Sequence, residues 1–538
     1  MVLLIEKDRG WKSTKIKNIK VYFSGKIDPK ILEDLVIKLK NKSSNLTTKQ
    51  IKSDLIKFKG NFSIIIMLNK NYSLAVVDRV KSIPIFMAKT EKSLFLGNYA
   101  PSLIKTLANK KIDHNSLLSF KMSGYCIGRN TLYKNLFQLL PGEACLIRNK
   151  SLKYISYHSF IKKDKIFTDS KEKLSKKLAK MTLSIFEEII KNNKSKKIVV
   201  PLSGGYDSRL IASALYHLNA RDVVCFSYGK KNNFEAKVAR EISSKLNFPW
   251  HFVELNNKKQ SQNFKSKMYK DYTIYSDTLG SWSYIQDLFA IKELLEKKVI
   301  NKNSVIINGN TGDFITGGHL PGYDRKLKDK KSRLNLIFKY ISSKHFSLWE
   351  NYFSRNQYNL INKLILKSIP KSLLNIGLEE DYKVYEYVEF INRQSNYVIQ
   401  GQRQYDFLKI AWELPLWHDN YLKFWNKVPF ELKYNQDLYK FMLTDNNWGD
   451  VWQKIPVNNY HISPKYIKYL RNLFKLFFIF KNRNDWHNFD KKYISYFTEL
   501  VPYYPYFNYS DIIKEKKIAR NALAWHAEDY LKKKDLIL

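Results

Sequence analysis

The sequence is short of cysteine, of acidic residues and of long apolar runs, and each shortage excludes something. Cys126, Cys145 and Cys225 are the three cysteines in 538 residues, widely separated and odd in number. That pattern suits neither a disulfide framework nor a zinc site, and it points to a reducing, cytoplasmic setting. No apolar run approaches the roughly 20 residues needed to cross a bilayer, so no transmembrane segment is expected. The best candidate, Leu476 to Phe480, is short, follows Lys475, and reads as a core or interface segment. The N-terminus opens Met-Val-Leu-Leu-Ile and turns charged at Glu6. It lacks the basic start, apolar stretch and cleavage site of a signal peptide. Acid is scarce against base: 49 Asp and Glu stand against 93 Lys and Arg, a formal charge of +44. Lysine supplies most of the excess and is scattered through every segment, whereas a nucleic-acid reader gathers charge on one face, often with arginine. A solvated lysine-rich surface is therefore expected ahead of any specific nucleic-acid site. Attraction to anionic lipid, nucleic acid or nucleotides still follows physically.

What is present suffices for a large folded protein. The apolar content is 44% and the aromatic content 15%, so disorder is not the expectation. The length suggests two domains. No internal repeat is evident. From Val21 to about Tyr157 short apolar strands such as Phe62-Ser-Ile-Ile-Ile-Met-Leu68 and Ser73-Leu-Ala-Val-Val77 are split by Asn, Gly and Lys turns. The polar stretch Lys162 to Lys173 reads as a linker, followed by a helix over Leu174 to Ile190. Then strands alternate with helices. Strands are predicted at Ile198–Leu202, Asp222–Ser227, Trp250–Leu255 and Ser304–Asn308, and helices at Arg209–Leu218, Glu235–Leu246 and Tyr284–Lys297. Such alternation argues a parallel sheet covered on both faces. Beyond Leu320 the chain reads as mainly helical.

The centre of the sequence is Leu202-Ser-Gly-Gly-Tyr-Asp-Ser-Arg209, read as a turn over Ser203 to Ser208 where a buried strand feeds a helix. Open α/β sheets bind ligands at such points. Gly204 and Gly205 let the backbone approach a phosphate, and the amides of the turn and helix start would point at negative charge. Ser203 and Ser208 add hydroxyl donors. Asp207 would repel phosphate by itself, so its sensible role is to hold Mg²⁺. The loop lacks Gly-Lys-Ser/Thr and is not the kinase or GTPase phosphate loop.

Ser-Gly-Gly-x-Asp-Ser resembles the pyrophosphate loop of enzymes that cleave ATP between the α and β phosphates, and within that group the chain resembles the asparagine synthases from about Val21 to about Tyr460. Ser227-Tyr-Gly229 is similar to the family's adenine-contacting turn. Asn308-Gly-Asn-Thr-Gly-Asp-Phe-Ile-Thr-Gly-Gly318 resembles its Ser-Gly-Glu-Gly-x-Asp-Glu-x-x-Gly-Gly loop. Glu413-Leu-Pro-Leu-Trp417, Phe424-Trp and Val428-Pro429 resemble a later family segment. The resemblance implies ATP contacts at Leu202, Ser203, Gly204, Gly205, Asp207, Ser208, Tyr228, Asn308 and Gly309, and Mg²⁺ held by Asp207 and Asp313. Gly60-Asn-Phe-Ser-Ile, Asp78-Arg-Val-Lys-Ser-Ile-Pro-Ile-Phe86 and Leu139-Leu-Pro-Gly142 are similar to the glutaminase half of the family. The implied fold is α/β and multi-domain. An N-terminal αββα sandwich of the N-terminal-nucleophile type spans 1–160. A pyrophosphate-loop, adenine-nucleotide α-hydrolase-like parallel sheet with a helical C-terminal part spans 174–460. A basic, aromatic-rich helical extension spans 461–538.

The chain departs from the family at three places. The glutaminase nucleophile is a cysteine at the second position, and Val2 cannot attack an amide. The glutamine-gripping Asn-Gly-Glu appears as Ser24-Gly25-Lys26, so a degenerate glutaminase is expected, serving as a scaffold or as a docking surface for a separate nitrogen donor. Asn310 and Phe314 replace two loop glutamates, so the acceptor need not be aspartate. The lysine that steadies pyrophosphate has no clean counterpart; Lys454, Lys465 and Lys440 stay open, as do His418 and Asp419 at the acidic position after Pro415. The expected activity is ATP-dependent amide formation on a small-molecule carboxylate through its adenylate, with a homodimer left open. Amidation of a sugar acid or peptide, a non-catalytic nucleotide-binding paralogue and a basic polyanion- or membrane-surface protein are the competing readings.

Overall fold

The structure is a computed structural model that describes residues 1–41, 47–162, 164–323, 325, 327, 329–457 and 465–537. The expected domain boundary at 460/461 lies outside the described residues.

The N-terminal part holds β1 (Val2–Leu4), β2 (Lys12–Ile16), β3 (Ile19–Gly25), α1 (Pro29–Asn41), α2 (Thr48–Leu55), β4 (Phe62–Asn69), β5 (Tyr72–Val77), β6 (Phe86–Lys89), β7 (Leu94–Gly97), α3 (Ala100–Ile104), α4 (His114–Ser123), β8 (Leu136–Gln138), β9 (Glu143–Arg148) and β10 (Ser151–Ser156). The strands make a six-stranded antiparallel sheet, β10-β9-β5-β4-β3-β2, and a four-stranded sheet, β1-β7-β6-β8. Two of its hairpins close on Lys17-Asn18 and Asn149-Lys150, each with positive φ at both residues, the backbone that a two-residue hairpin loop requires. Leu35, Val36 and Leu39 of α1 pack on Ile64, Ile66 and Leu74 of the larger sheet. Its other face sends Ile65, Ala75 and Val77 against Met87 and Leu96 of the smaller sheet. Leu103 of α3 then covers Phe86 and Ala88. The layer order is helix, sheet, sheet, helix, and period-two alternation produces it, because each strand offers apolar side chains to both neighbours.

The second part begins with α5 (Lys171–Asn192), capped by Ser170, so the helix takes in the last residues of the expected linker. It continues with β11 (Lys197–Pro201), α6 (Tyr206–His217), β12 (Val223–Gly229), α7 (Phe234–Lys245), β13 (Trp250–Glu254) and β14 (Ser304–Ile307). β15 (Trp349–Glu350), β16 (Ala411–Glu413) and β17 (Ile518–Ala519) follow. A five-stranded parallel sheet runs β13-β12-β11-β14-β16. Ile198, Val200 and Cys225 face α5, α6 and α7, while Val199, Val224 and Ile306 face the helix Leu288–Glu296. Burial on both faces explains the near-continuous apolar strands. All three cysteines are buried and free. Among the described residues no helix is long and apolar enough to cross a membrane.

The 465–537 segment folds back on this sheet. β17 pairs antiparallel with β15, the Lys230 N–H donates to the Leu500 carbonyl at 2.9 Å, and Gln260 Nε2 donates to the Pro502 carbonyl at 3.0 Å. Leu476 to Phe480 is not core: Phe477 is 72% and Phe480 100% exposed.

The two parts meet at the Asp78–Phe86 segment. Buried Asp78 accepts from the N–H groups of Phe62, Val80 and Ser82 and organises the turn. Arg79 then pairs with Asp419, and Lys81 reaches Gln138 Oε1 at 2.9 Å as well as Asn396. Burial pulls the Lys81 ammonium down to about 7. Lys26 pairs with Glu413 at the end of β16.

Candidate nucleotide site

The strand order decides where the site lies. β11 passes through α6 to β12 on one side, while β14 lies on its other side, so the loops after β11 and β14 diverge and leave a crevice. The 202–205 and 308–312 loops open into it, around a cavity of about 700 Å³.

α6 starts at Tyr206, three residues before the expected Arg209, which draws Asp207 and Ser208 into its first turn. The hydroxyls explain the shift. Ser208 Oγ accepts from the Ser203 N–H at 2.9 Å and lies 3.0 Å from Ser203 Oγ, which accepts from the Gly205 N–H. Bound to each other, they fold the loop tightly. The N-cap is Gly205, which has no side chain to occupy the first-turn donors. By contrast Ser170 caps α5 and Asn233 caps α7. The start of α6 is therefore an open set of N–H donors aimed at the crevice.

Asp207 and Asp313 meet there. The Asp313 N–H donates to Asp207 Oδ2 at 2.9 Å, and Tyr439 OH donates to Asp207 Oδ1 at 3.1 Å. Gly312 makes the approach feasible: a Cβ on it would lie 2.5 Å from Asp207 Cγ and 2.6 Å from Leu416 Cδ1. Asp313 Oδ2 lies 2.8 Å from His319 Nε2, and His319 Nδ1 lies 2.5 Å from Glu389 Oε1. His345 Nε2 reaches the other Glu389 oxygen at 3.2 Å. Burial, then the Asp313 charge, push the Asp207 carboxyl upward. Burial acts on Asp313 the same way, but His319 outweighs it and leaves Asp313 below its usual range. Burial opposes the His319 imidazolium, yet Glu389 and Asp313 raise it to about 9.

Of the residues expected to contact a nucleotide, Leu202, Ser203, Gly205, Asp207, Ser208, Tyr228, Asn308 and Gly309 line the cavity. Gly204 does not; it faces Val238 of α7, and its carbonyl accepts from Arg209. Asn308 is engaged within the protein, donating to Tyr405 OH and accepting from the Asn310 N–H, both at 2.8 Å. Tyr228 OH donates to Asp287 at 2.5 Å. The helix expected from Tyr284 begins only at Leu288, because Tyr284, Ile285 and Gln286 form cavity wall.

Neither Lys440 nor Lys454 lines the cavity, although Lys440 Nζ lies 5.7 Å from the centre of the Tyr206 ring, which does. Lys454 is exposed, and the Lys465 side chain lies outside the described residues. Arg209, the cation within the loop motif, is spent on structure. It donates to the carbonyls of Val451, Ile455, Gly204 and Pro456. His418 stands near Glu188 and Asp419 against Arg79, both away from the cavity. Phe314 is buried beside Phe160 and Trp417.

Sequence reasoning missed Arg393, the one basic side chain on the cavity wall among the described residues, together with Trp282, Tyr284, Tyr397 and Tyr503. It also missed His319, although it directly follows the Gly317-Gly318 pair. Glu499, Leu500 and Asn521 show that the C-terminal extension forms part of the same wall.

The crevice thus joins a parallel sheet's switch point, an uncapped helix start and the Asp207–Asp313 contact, the place at which open α/β sheets bind ligands. Residues 193–445 match the family model for asparagine synthase, and the matched stretch holds both loops. No curated protein matches the chain. Among solved structures the chain is similar to an NH3-dependent NAD synthetase from Campylobacter jejuni, at 16% identity over 40% of this chain and 94% of that one, with a TM-score of 0.19. It is also similar to a glutamine phosphoribosylpyrophosphate amidotransferase from B. subtilis, at 10% identity over 56% of this chain and 63% of that one, with a TM-score of 0.18. Superpositions that weak carry no further argument.

Proposed function

We propose that this chain is an ATP-dependent amide-forming ligase that activates a carboxylate as its acyl adenylate. The observation that carries the reading is the meeting of Asp207 and Asp313 at the uncapped start of α6. Phosphate oxygens would take the open N–H donors at the start of α6, and the adenine would lie along Tyr228. Mg²⁺ fits the donor set. Asp207 and Asp313 are hard oxygen ligands that both line the cavity, and burial, then the Asp313 charge, push the Asp207 carboxyl up, a push that a cation would offset. Asp207 and Asp313 would hold the ion, which supplies charge neutralisation at the phosphates. The loop amides would steady the departing pyrophosphate. The acceptor carboxylate would face Arg393, between the aromatic walls of Trp282, Tyr284 and Tyr397. Asn310 and Phe314 take away the acidic groups that would greet an amino-acid substrate, so a sugar acid or a peptide is an acceptor class equal in standing to aspartate.

The N-terminal sandwich is read as a degenerate glutaminase. Val2 offers no nucleophile, and Lys26, Arg79 and Lys81 are engaged in contacts with the second part. The nitrogen would then come from ammonia, an amine or a separate donor protein.

The test is pyrophosphate release from ATP, screened over aspartate, uronic acids and peptides, with Asp207→Ala as control. Release with one acceptor, abolished by the substitution, supports the reading. ATP binding without release over the whole screen would favour a non-catalytic nucleotide-binding paralogue.

A further inference from the structure

Among the described residues, the helix Lys465–Leu476 and the turn after it carry the most exposed apolar side chains. Tyr469 is 70% exposed, Phe477 72%, Ile479 65% and Phe480 100%. Their spacing is ordered. Ile467, Arg471, Phe474 and Phe478 follow one helical stripe and face the segment 486–494. Ile467 joins Trp486 and Ile494 in a small core, and Phe478 lies 5.5 Å from Trp486 and 5.1 Å from Phe489. Arg471 pairs with Asp490 at 2.7 Å. Displaced around the helix, Tyr466, Tyr469, Leu470, Leu473 and Phe477 repeat at intervals of three and four and point outward. Lys468 and Lys475 form a third sector on the flank, both exposed. The helix is thus anchored by one stripe and presents a second apolar stripe to solvent. Single exposed apolar residues are ordinary, but a contiguous stripe of this kind marks an interaction surface.

We propose that this stripe lies on the surface of an anionic phospholipid bilayer, with Leu473, Phe477, Ile479 and Phe480 entering the headgroup boundary. Charge selects this occupant. Residues 465–484 hold Lys465, Lys468, Arg471, Lys475, Lys481 and Arg483 and no acidic residue. A second copy of a chain with a formal charge of +44 would bring like charges together across the stripe, whereas an anionic surface neutralises them. Aromatic and aliphatic side chains on one face with lysines beside them are the pattern of a helix lying in an interface. The segment is too short to span a bilayer, so the association is peripheral and reversible. It would hold the ligase at a surface while its cavity stays accessible from water, and it is independent of the chemistry proposed for that cavity.

The experiment is co-sedimentation of the full chain with phosphatidylcholine vesicles and with vesicles containing phosphatidylglycerol. Leu473→Ser/Phe477→Ser and Lys468→Glu/Lys475→Glu are the variants. The native chain should pellet with the anionic vesicles at least about tenfold more than with neutral ones. Both variants should lose about tenfold in binding, and added salt should weaken the native interaction. These side chains are exposed, so an unchanged thermal midpoint shows that the variants stay folded. The proposal is overturned by equal pelleting with both vesicle types, or by anionic binding that Leu473→Ser/Phe477→Ser leaves intact. A vesicle-free dimer that the same substitution dissolves would overturn it in favour of a second copy as occupant.

Discussion

The Asp313 N–H donates to Asp207 Oδ2 at 2.9 Å, so two residues more than 100 positions apart share the mouth of one crevice. The bond favours the charged carboxylate, but burial and the Asp313 charge outweigh it and push the Asp207 carboxyl upward, a strain that a divalent cation would relieve. Asp207→Asn should cut pyrophosphate release by about 100-fold or more. Its effect on stability should have the opposite sign. A carboxyl pushed up in the folded state weakens folding as pH rises above about 4, where the unfolded group ionises. At pH 8 the Asn variant should therefore melt at or above the native temperature, and thermal denaturation checks it.

Gly312→Ala tests the approach of the two loops. The new Cβ would collide with the Asp207 carboxylate on one side and Leu416 on the other. Activity should fall at least tenfold and stability by about 1–3 kcal/mol. A variant with native turnover would show that the loops need not approach this closely.

His319 should give the protein an alkaline limb. Its imidazolium is raised from 6.5 to about 9 by Glu389 and Asp313 against burial. The stabilisation is complete below pH 6.5 and is lost as pH rises through about 9. His319→Gln should flatten the fall in melting temperature between those values, seen as a melting profile across pH.

Gly229→Ala tests the C-terminal wall. Gly229 has φ +126°, and an added Cβ would lie 2.7 Å from the Leu500 carbonyl oxygen. The substitution should push Leu500 and Tyr503 off the cavity. Stability should fall by about 1–3 kcal/mol and ATP affinity about tenfold, measured by titration calorimetry.

Arg209→Met should leave three buried carbonyls and the half-buried Pro456 carbonyl without their donor. A loss of about 3 kcal/mol or more is expected in chemical denaturation. Arg209→Lys should recover only part of it, since one ammonium cannot span the same fork.

Local pattern made much of this legible. Period-two apolar runs marked the strands, and Ser-Gly-Gly-x-Asp-Ser after one of them marked the crevice. Where α6 begins was not legible, since a reader of caps expects Ser208 or Asp207 to start a helix; Ser203 and Ser208 satisfy each other instead and hand the cap to Gly205. Arg393, Glu389 and Tyr439 were equally hidden. Nothing in their own neighbourhoods distinguishes them from residues that simply pack.

By itself the sequence determined strands β11 to β14 of the parallel sheet and that a glycine-rich turn joins one of them to a helix, because these depend on side chains a few positions apart. The tertiary structure decided that Asp313 faces Asp207, that His319 and Glu389 set its charge, that the 499–523 segment closes the cavity, and that the 466–480 stripe is left outside. Those outcomes depend on strand order and on which surfaces find partners, and burial sums over the whole chain rather than over any one window of it.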